Sequence, residues 1–293
     1  MQICDAMKFL RIAAVPAILT IIGVPAFVSA PAQTTPSTAP TAPPVQLRTY
    51  TAQDQSVSAG VPSGWTVINA VGGSINMSGP RGETINFGDV FVVHDAPFQL
   101  GQRGPGAALL NMPSSAKLSD KLIMLLQQRE AIGGTPVAQI KFIYAAPLQL
   151  PPNTAQCGVF AVALSAPAAP AEGVGLFCSL PDDSAQLFKV VLVMGAAPAA
   201  IASQTVPTVA AVYHSYKIAP GWVQKMLSPY TPAARATPGG GGDSPAEVQM
   251  YLAAMQNQQA VIDHGFTCAN ANIVGNGSNW ETPVECGGWA PDF

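Results

Sequence analysis

Charged side chains are scarce in this sequence. Only 10% of its 293 residues are Asp, Glu, Lys or Arg, whereas about 25% is usual for a globular protein. The 13 basic and 16 acidic residues give a net charge of −3, and Lys and Arg are not clustered anywhere along the sequence. Nucleic-acid binding requires a basic surface that neutralises phosphates, so the composition excludes nucleic acid as a partner.

Residues and motifs that carry catalysis are also few. The three histidines are His94, His214 and His264. His94 adjoins Asp95 and His264 adjoins Asp263, but neighbours in sequence do not face each other in a strand or a helix. The sequence contains no G-x-S-x-G motif and no C-x-x-C spacing, which are signals of a serine nucleophile and of a zinc site. We therefore predict no catalytic residue, no metal site and no cofactor.

An apolar run near the start of the chain predicts export. Residues 12–24 follow Lys8 and Arg11, and this run is shorter than the roughly 20 residues of a membrane-spanning helix. Such a pattern is typical of a signal peptide. We expect cleavage after Ala32, or alternatively after Ala30, which leaves a periplasmic or secreted protein without a membrane span. The alternative is a leader that is retained as an anchor over residues 9–28.

Cysteines remain in an even number after the predicted leader. An even number in an exported chain predicts two disulfides, and four cysteines allow three pairings. We expect the sequential pairing because each pair flanks a predicted hairpin. Zinc is the other use of four cysteines, and the spacings that zinc sites require do not occur. The predicted pairs are Cys157 with Cys178 and Cys268 with Cys286.

Turn signals and apolar patterns divide the chain into segments. Residues 33–46 are rich in Pro, Thr and Ala and predict an extended linker. Residues 47–220 predict an α+β domain, with helices at 115–132 and 199–216. Pro207 should kink the second helix or mark its start. The strands are expected at 48–50, 57–61, 65–69, 74–78, 83–93, 137–145, 158–164, 173–179 and 186–194.

Two short segments of this domain resemble a known family. The run VSAGVPSGWTV at 57–67 is similar to the opening of Mog1/PsbP-like proteins, and the run TVAAVYHSY at 208–216 is similar to their closing helix. The resemblance covers residues 47–220 and implies a twisted antiparallel sheet flanked by helices. It also implies an accessory, partner-binding protein more than an enzyme. The predicted export and disulfides depart from the nuclear and photosynthetic members, so no partner is carried over.

The C-terminal segment differs in composition from the domain. Residues 221–243 contain repeated prolines and a run of glycines and predict a flexible linker. Residues 244–293 predict a separable tail, in which Ser244 starts a helix, Gly265 ends it and a disulfide closes a hairpin. The tail residues that we expect to bind a sugar or a peptide, unless their aromatic rings only complete a small core, are Asn276, Asn279, Trp280 and Trp289.

The leading hypothesis is an exported, non-enzymatic interaction module that binds a protein or another component of the cell envelope. One alternative is a binding protein for glycans or for small apolar ligands. The apolar ligand would lie in a pocket between the sheet and helix 115–132. Another alternative is a secreted hydrolase, which requires His94 or His264 to meet a carboxylate and a nucleophile. The expected lining of the apolar pocket is Leu122, Leu126, Phe142 and Phe160.

Overall fold

Strands make up most of the structure. The computed structural model describes residues 45–97, 110–132, 139–150, 155–165, 170–180, 186–227, 259–274 and 286. The strands are β1 (Leu47–Thr51), β2 (Val57–Pro62), β3 (Thr66–Val71), β4 (Ser74–Ser78), β5 (Thr84–Asp95), β6 (Leu110–Met112), β7 (Gln139–Pro147), β8 (Gln156–Ser165), β9 (Ala171–Ser179), β10 (Leu187–Pro198) and β11 (Lys217–Ile218). The helices are α1 (Leu118–Ile132), α2 (Ala202–Ser215), α3 (Pro220–Leu227) and α4 (Gln259–Val274), and a 3-10 turn at Ala199–Ile201 precedes α2.

The strands form two sheets. The larger sheet has the order β3-β4-β5-β10-β9-β8-β7, and β6 also pairs with β5. Its strands are antiparallel to their neighbours, except that β6 runs parallel to β5. The smaller sheet has the order β1-β2-β11. The fold class is therefore α+β, as the sequence predicts.

Helices cover both faces of the large sheet. Val159 of β8 belongs to one buried cluster with Val209 of α2 and Phe266 of α4. The next residue, Phe160, belongs to a second cluster with Leu122 of α1. Successive residues of a strand point to opposite faces, so α1 lies on one face and α2 with α4 on the other. Burial on both faces explains why β8 and β9 are almost continuously apolar.

The strands and helices that the sequence predicts between residues 47 and 220 are all present, with ends shifted by a few residues. Residues 74–78 form β4 as predicted, and α1 starts three residues later than expected. Pro207 lies inside α2 and does not mark its start. None of the helices in the described ranges is long and apolar enough to cross a membrane.

Three short elements occur where the sequence predicts loop or linker: β6, β11 and α3. The linker expected from residue 221 is wrong up to residue 227, because α3 occupies Pro220–Leu227. Pro220 takes the first helical position, where the missing N–H costs little. The N–H of the preceding Ala219 donates to the Ser56 carbonyl at 2.9 Å, which holds the start of α3 beside the small sheet. Residues 228–258 and 1–44 lie outside the described residues, so the boundaries at 32 and 243 stay predictions.

The predicted end of the C-terminal helix at Gly265 is also wrong. Gly265 lies inside α4, which continues to Val274. A Cβ built at this glycine would lie 2.7 Å from Cγ1 of Val159, so the residue is required for close packing of α4 on β8. A glycine can end a helix or permit such an approach, and the sequence alone does not distinguish the two.

The position of α4 differs from the expectation of a separable tail. Its residues Ile262, Phe266 and Ile273 are buried in the same hydrophobic cluster as the sheet residues Tyr144 and Val174. The described residues from 45 to 286 belong to one compact unit. The described part of the tail therefore shares the core of the domain and has no separate one.

Candidate functional site

The end of α2 is fixed by two polar side chains that follow one another in sequence. The Ser215 hydroxyl donates to the Val212 carbonyl at 2.7 Å and accepts from the N–H of Gly60 at 2.7 Å. The Tyr216 hydroxyl donates to the Gly73 carbonyl at 2.6 Å, and burial raises the pKa of this phenol above its ordinary value. These bonds connect α2 to both sheets. They also set the position of His214, the last but one residue of the helix.

A disulfide and a buried amide fix α4. Cys268 lies on α4 and is bonded to Cys286, with 5.1 Å between the two Cα atoms. The side chain of Asn272 is buried, and its Nδ2 donates to the Cys268 carbonyl at 2.8 Å and lies 3.5 Å from the Cys286 carbonyl. Together with the packing of Gly265 on Val159, these contacts hold α4 on β8, on the sheet face that α2 also covers.

The two helices enclose a cleft of about 410 Å³, which we call the α2–α4 cleft. On α4 the lining residues are three, four and seven positions after Asp263, which places them on one helix face. The volume is within the range of small-molecule binding sites, about 300–1,000 Å³. The lining consists of Val206, Pro207, Ala210 and His214 from α2, and of Asp263, Phe266, Thr267 and Asn270 from α4.

A histidine and a carboxylate meet across this cleft. Nε2 of His214 lies 3.3 Å from Oδ1 of Asp263, and both side chains are about half exposed. Nε2 of Gln259 donates to the same carboxylate oxygen at 2.9 Å. The adjacent His and Asp residues of the sequence do not predict this pair, because it joins two helices that are far apart in sequence.

One residue of the cleft lining has a buried amide oxygen without a partner in the described part of the chain. Oδ1 of Asn270 is buried and accepts no hydrogen bond from the described residues. The Thr267 hydroxyl, one turn earlier, donates to the Asp263 carbonyl of its own helix at 2.9 Å. A buried acceptor without a donor is unusual, because leaving it unsatisfied costs about 1–3 kcal/mol.

A second unsatisfied acceptor lies behind Val206, on the sheet side of α2. Glu172 of β9 lines a small void of about 10 Å³ that Val206 also lines. Oε2 of this carboxylate is buried without a partner among the described residues, and burial raises the pKa of Glu172. Oε2 of Glu172 is thus a second buried oxygen near α2 without a partner in the described part of the chain.

Of the two histidines that the hydrolase hypothesis requires, His94 has a buried Nδ1 without a hydrogen-bond partner among the described residues, and His264 contacts a sulfur. Asp95, the neighbour of His94, accepts hydrogen bonds from the backbone N–H and the hydroxyl of Ser114, both at 2.7 Å. His264 places Nε2 3.4 Å from the sulfur of Cys268, and Cys286 completes a cluster of three possible metal ligands. In the disulfide form these sulfurs are not thiolates, and the thiolate is the form that binds a metal.

The predicted apolar pocket beside α1 is filled by the protein's own side chains. Leu122 and Phe160 are fully buried and Leu126 is nearly so, in a cluster with Phe177 and Phe188. Phe142 packs against the same cluster and is partly buried. The lining proposed for an apolar ligand is therefore hydrophobic core, and this part of the prediction is wrong.

The outer strand β3 exposes two large aliphatic side chains. Ile68 is 67% exposed and Val71 is 52% exposed. Val71 also lines a cleft of about 360 Å³ next to Asp89 of β5 and Arg129 of α1. The Arg129 guanidinium lies 3.7 Å from the Asp89 carboxylate and 5.3 Å from the centre of the Phe91 ring. The strand therefore adjoins a cleft that has one apolar side and one polar side.

The remaining predicted site residues are cysteines and tail residues. Cys157 and Cys178 face each other on β8 and β9 and are bonded, with 4.1 Å between their Cα atoms. With the bond between Cys268 and Cys286, this is the sequential pairing that the sequence analysis expects. The candidate binding residues of the tail lie outside the described residues and stay predictions: Asn276, Asn279, Trp280 and Trp289.

Comparison with known proteins gives a similarity of fold. No protein-family model matches the sequence, and no curated protein matches it. The structure is similar to the solution structure of cyanobacterial PsbP (CyanoP) from Synechocystis sp. PCC 6803, with a TM-score of 0.32 and 12% sequence identity. The similarity covers 61% of this chain and 95% of that chain. It agrees with the resemblance noted from the sequence, at a level that carries no argument about function, and membership of the family stays a prediction.

Proposed function

We propose that this protein is an exported, non-enzymatic module that binds an extended segment of a partner protein along β3. The observation that carries the proposal is the exposure of Ile68 and Val71, two large aliphatic residues on one outer strand. Among the described residues only one other large aliphatic side chain is similarly exposed, Val261 on α4.

The edge of β3 lacks the features that protect other sheet edges. Within the described residues β3 pairs with β4 alone, and its sequence TVINAV has neither a charged residue nor a proline. Natural proteins usually protect such an edge with Lys, Pro or a covering element, because the unpaired backbone groups attract another strand. An unprotected edge is the feature that strand addition uses, in which backbone hydrogen bonds hold an extended peptide.

The hairpin that carries this edge is held rigidly. Asp54 accepts a hydrogen bond from the N–H of Gly72 at 2.8 Å, and the Tyr216 hydroxyl bonds to the carbonyl of Gly73. Both contacts hold the turn between β3 and β4. A rigid edge loses less conformational entropy when a partner binds, which favours affinity.

The cleft beside β3 indicates the chemistry of the partner segment. Val71 and Phe91 provide an apolar surface, and Arg129 is already paired with Asp89. A neutral, apolar side chain from the bound strand fits this cleft better than a second charge. The expected partner segment is therefore extended, uncharged and rich in β-branched residues, which favour strands.

Two further observations favour this function over the alternatives. Nδ1 of His94 has no hydrogen-bond partner among the described residues, and Nε2 of His264 lies beside a sulfur and not beside a carboxylate. The two disulfides fit a protein that works in an oxidising compartment, outside the cell or in the periplasm. Glycan binding by the tail stays a second hypothesis.

The test places a photo-crosslinking amino acid on the edge strand. Asn69 is exposed and lies between Ile68 and Val71, so a benzoylphenylalanine at this position should form covalent adducts with the partner in the native envelope. The adduct should be lost when Ile68→Lys and Val71→Lys are introduced together, because lysines on an edge strand oppose pairing.

The matched control is Val261→Lys, which changes the third exposed aliphatic residue at a distant element. This variant should form as much adduct as the unmodified chain. The proposal would be contradicted if the double lysine variant of β3 formed as much crosslinked adduct as Val261→Lys. An adduct made only of two copies of this chain would identify self-association in place of a partner.

A further inference from the structure

We infer that the α2–α4 cleft binds a small organic ammonium, that is, a primary amine carried on an apolar body. This site is distinct from the β3 edge and is independent of the function proposed for it. The inference rests on the acceptors, the charge and the apolar wall of the cleft.

The residues that line the cleft include two with oxygen acceptors, Asn270 and Asp263. Oδ1 of Asn270 is buried and has no donor among the described residues. The Asp263 carboxylate also lines the cleft, and its Oδ1 accepts from Gln259 and pairs with His214. A ligand that satisfies these oxygens must bring N–H or O–H donors, and an ammonium brings three.

The charge of the lining favours a cation over a neutral donor. Among the described residues no Lys or Arg lines the cleft, and Asp263 is the only carboxylate there. Hydrogen bonds between an ammonium and a carboxylate are about twice as strong as bonds between neutral groups. Among the described lining residues only His214 offers an anionic ligand a basic side chain, and Asp263 already engages it.

The opposite wall suits a hydrocarbon body. Val206, Pro207 and Ala210 of α2 form an apolar surface. Phe266 also lines the cleft but is only 3% exposed, so it does not offer a ring face on which a sugar could stack. The lining therefore favours an amine with an apolar body over a saccharide.

Binding can be measured by calorimetric titration of the disulfide-bonded full chain with three compounds of similar shape. The compounds are benzylamine, benzyl alcohol and benzoate, which carry a positive, a neutral and a negative group. Benzylamine should bind at least about tenfold more tightly than benzyl alcohol. Its addition should also shift the backbone amide signals of residues 263–270 in a nuclear magnetic resonance spectrum.

Two variants and one control assign the binding to this cleft. Asp263→Asn should weaken benzylamine binding by about tenfold to a hundredfold, since it removes a charge-assisted bond. Asn270→Asp should strengthen it severalfold by adding a carboxylate, and this gain is measurable even if Asp263→Asn does not fold. Asp120→Asn removes an exposed carboxylate from α1 and should change nothing.

The inference is overturned if benzylamine and benzyl alcohol bind equally, if benzoate binds best, or if no compound binds. It is also overturned if Asn270→Asp leaves benzylamine affinity unchanged. Failure of this test leaves the β3 proposal intact, because the crosslinking experiment does not involve the cleft.

Discussion

Carboxylates in this protein are few, and several of them hold a turn in place. Asp54 binds the backbone of Gly72 in the turn between β3 and β4. Asp95 binds the backbone and hydroxyl of Ser114 in the turn before α1. In both cases the carboxylate satisfies backbone donors that lie outside the ladders and helices. A protein with few charged residues can therefore still use single carboxylates to hold the turns between its strands and helices.

Glu83 is the best protected of these groups. It is only 2% exposed. Its carboxylate accepts from the backbone N–H of Arg81 at 2.8 Å and from Nε of the same residue at 2.9 Å. Arg81 also donates to Gln204 of α2 at 3.0 Å. Burial alone would raise the pKa of Glu83, but the hydrogen bonds from Arg81 outweigh it and keep the pKa below its ordinary value.

We predict that Glu83→Gln lowers the free energy of unfolding at pH 7 by about 1.5–3 kcal/mol, the usual contribution of hydrogen bonds to a charged group. A lowered pKa in the folded state means that the contribution is complete above the unfolded pKa and is lost as the pH falls through the folded pKa. Urea unfolding of both proteins from pH 7 to pH 2 measures this. A difference that stays constant down to pH 2 would show that the carboxylate charge is not its cause.

At the scale of elements, the strands follow from the sequence because turn residues separate them. Pro62, Ser63 and Gly64 precede β3, and Gly72 and Gly73 form the tight turn between β3 and β4 with positive φ angles. The segment β6 is too short for a periodic pattern, and its parallel pairing with β5 comes from distant residues. Strands that turn residues separate along the chain are therefore predictable, whereas a pairing such as that of β6 with β5 is not.

The α2–α4 cleft was missed for a similar reason. Its polar residues Asp263, Thr267 and Asn270 recur at helical spacing, which could have identified one face of α4. A helix that ends at Gly265, as the sequence predicts, leaves Thr267 and Asn270 off this face. His214 joins this face only through the packing of two helices, and the spacing of residues along one helix carries no information about that packing.

The role of Gly265 can be tested with a matched pair of substitutions. We predict that Gly265→Ala destabilises the protein by about 1–3 kcal/mol, because the new methyl group overpacks against Val159. The methyl group of Gly221→Ala in α3 meets no atom within 4 Å. This substitution should stabilise the protein by about 0.4–1 kcal/mol, because alanine lowers the conformational entropy of the unfolded chain. Thermal unfolding of both variants measures the contrast. Equal effects of the two substitutions would contradict the close packing of α4 on β8.

At the scale of the whole molecule, the hydrophobic clusters on the two faces of the large sheet together stabilise the domain. The cluster that contains α4 also contains β2, β4 and the start of β5 through Ala59, Ile75 and Ile85. Loss of α4 from this cluster would expose sheet residues far from it in sequence, such as Val159 and Leu176. The described part of the tail should therefore unfold together with the sheet.

This cooperativity makes the disulfide of α4 a test of the whole fold. The bond between Cys268 and Cys286 closes a loop of 18 residues, and removing such a cross-link costs on the order of 3 kcal/mol. We predict that the variant with Cys268→Ser and Cys286→Ser unfolds in a single transition at a lower temperature, with a shift of about 2–4 °C per kcal/mol for a domain of this size.

Differential scanning calorimetry distinguishes this result from a separable tail. If the tail were an independent unit, the double variant would show an unchanged main transition and a new, smaller one at low temperature. The control is the variant with Cys157→Ser and Cys178→Ser, whose disulfide lies inside the sheet on β8 and β9. Because both bonds stabilise the same core, both double variants should lower the same transition, and a shift confined to the sheet variant would contradict the shared core.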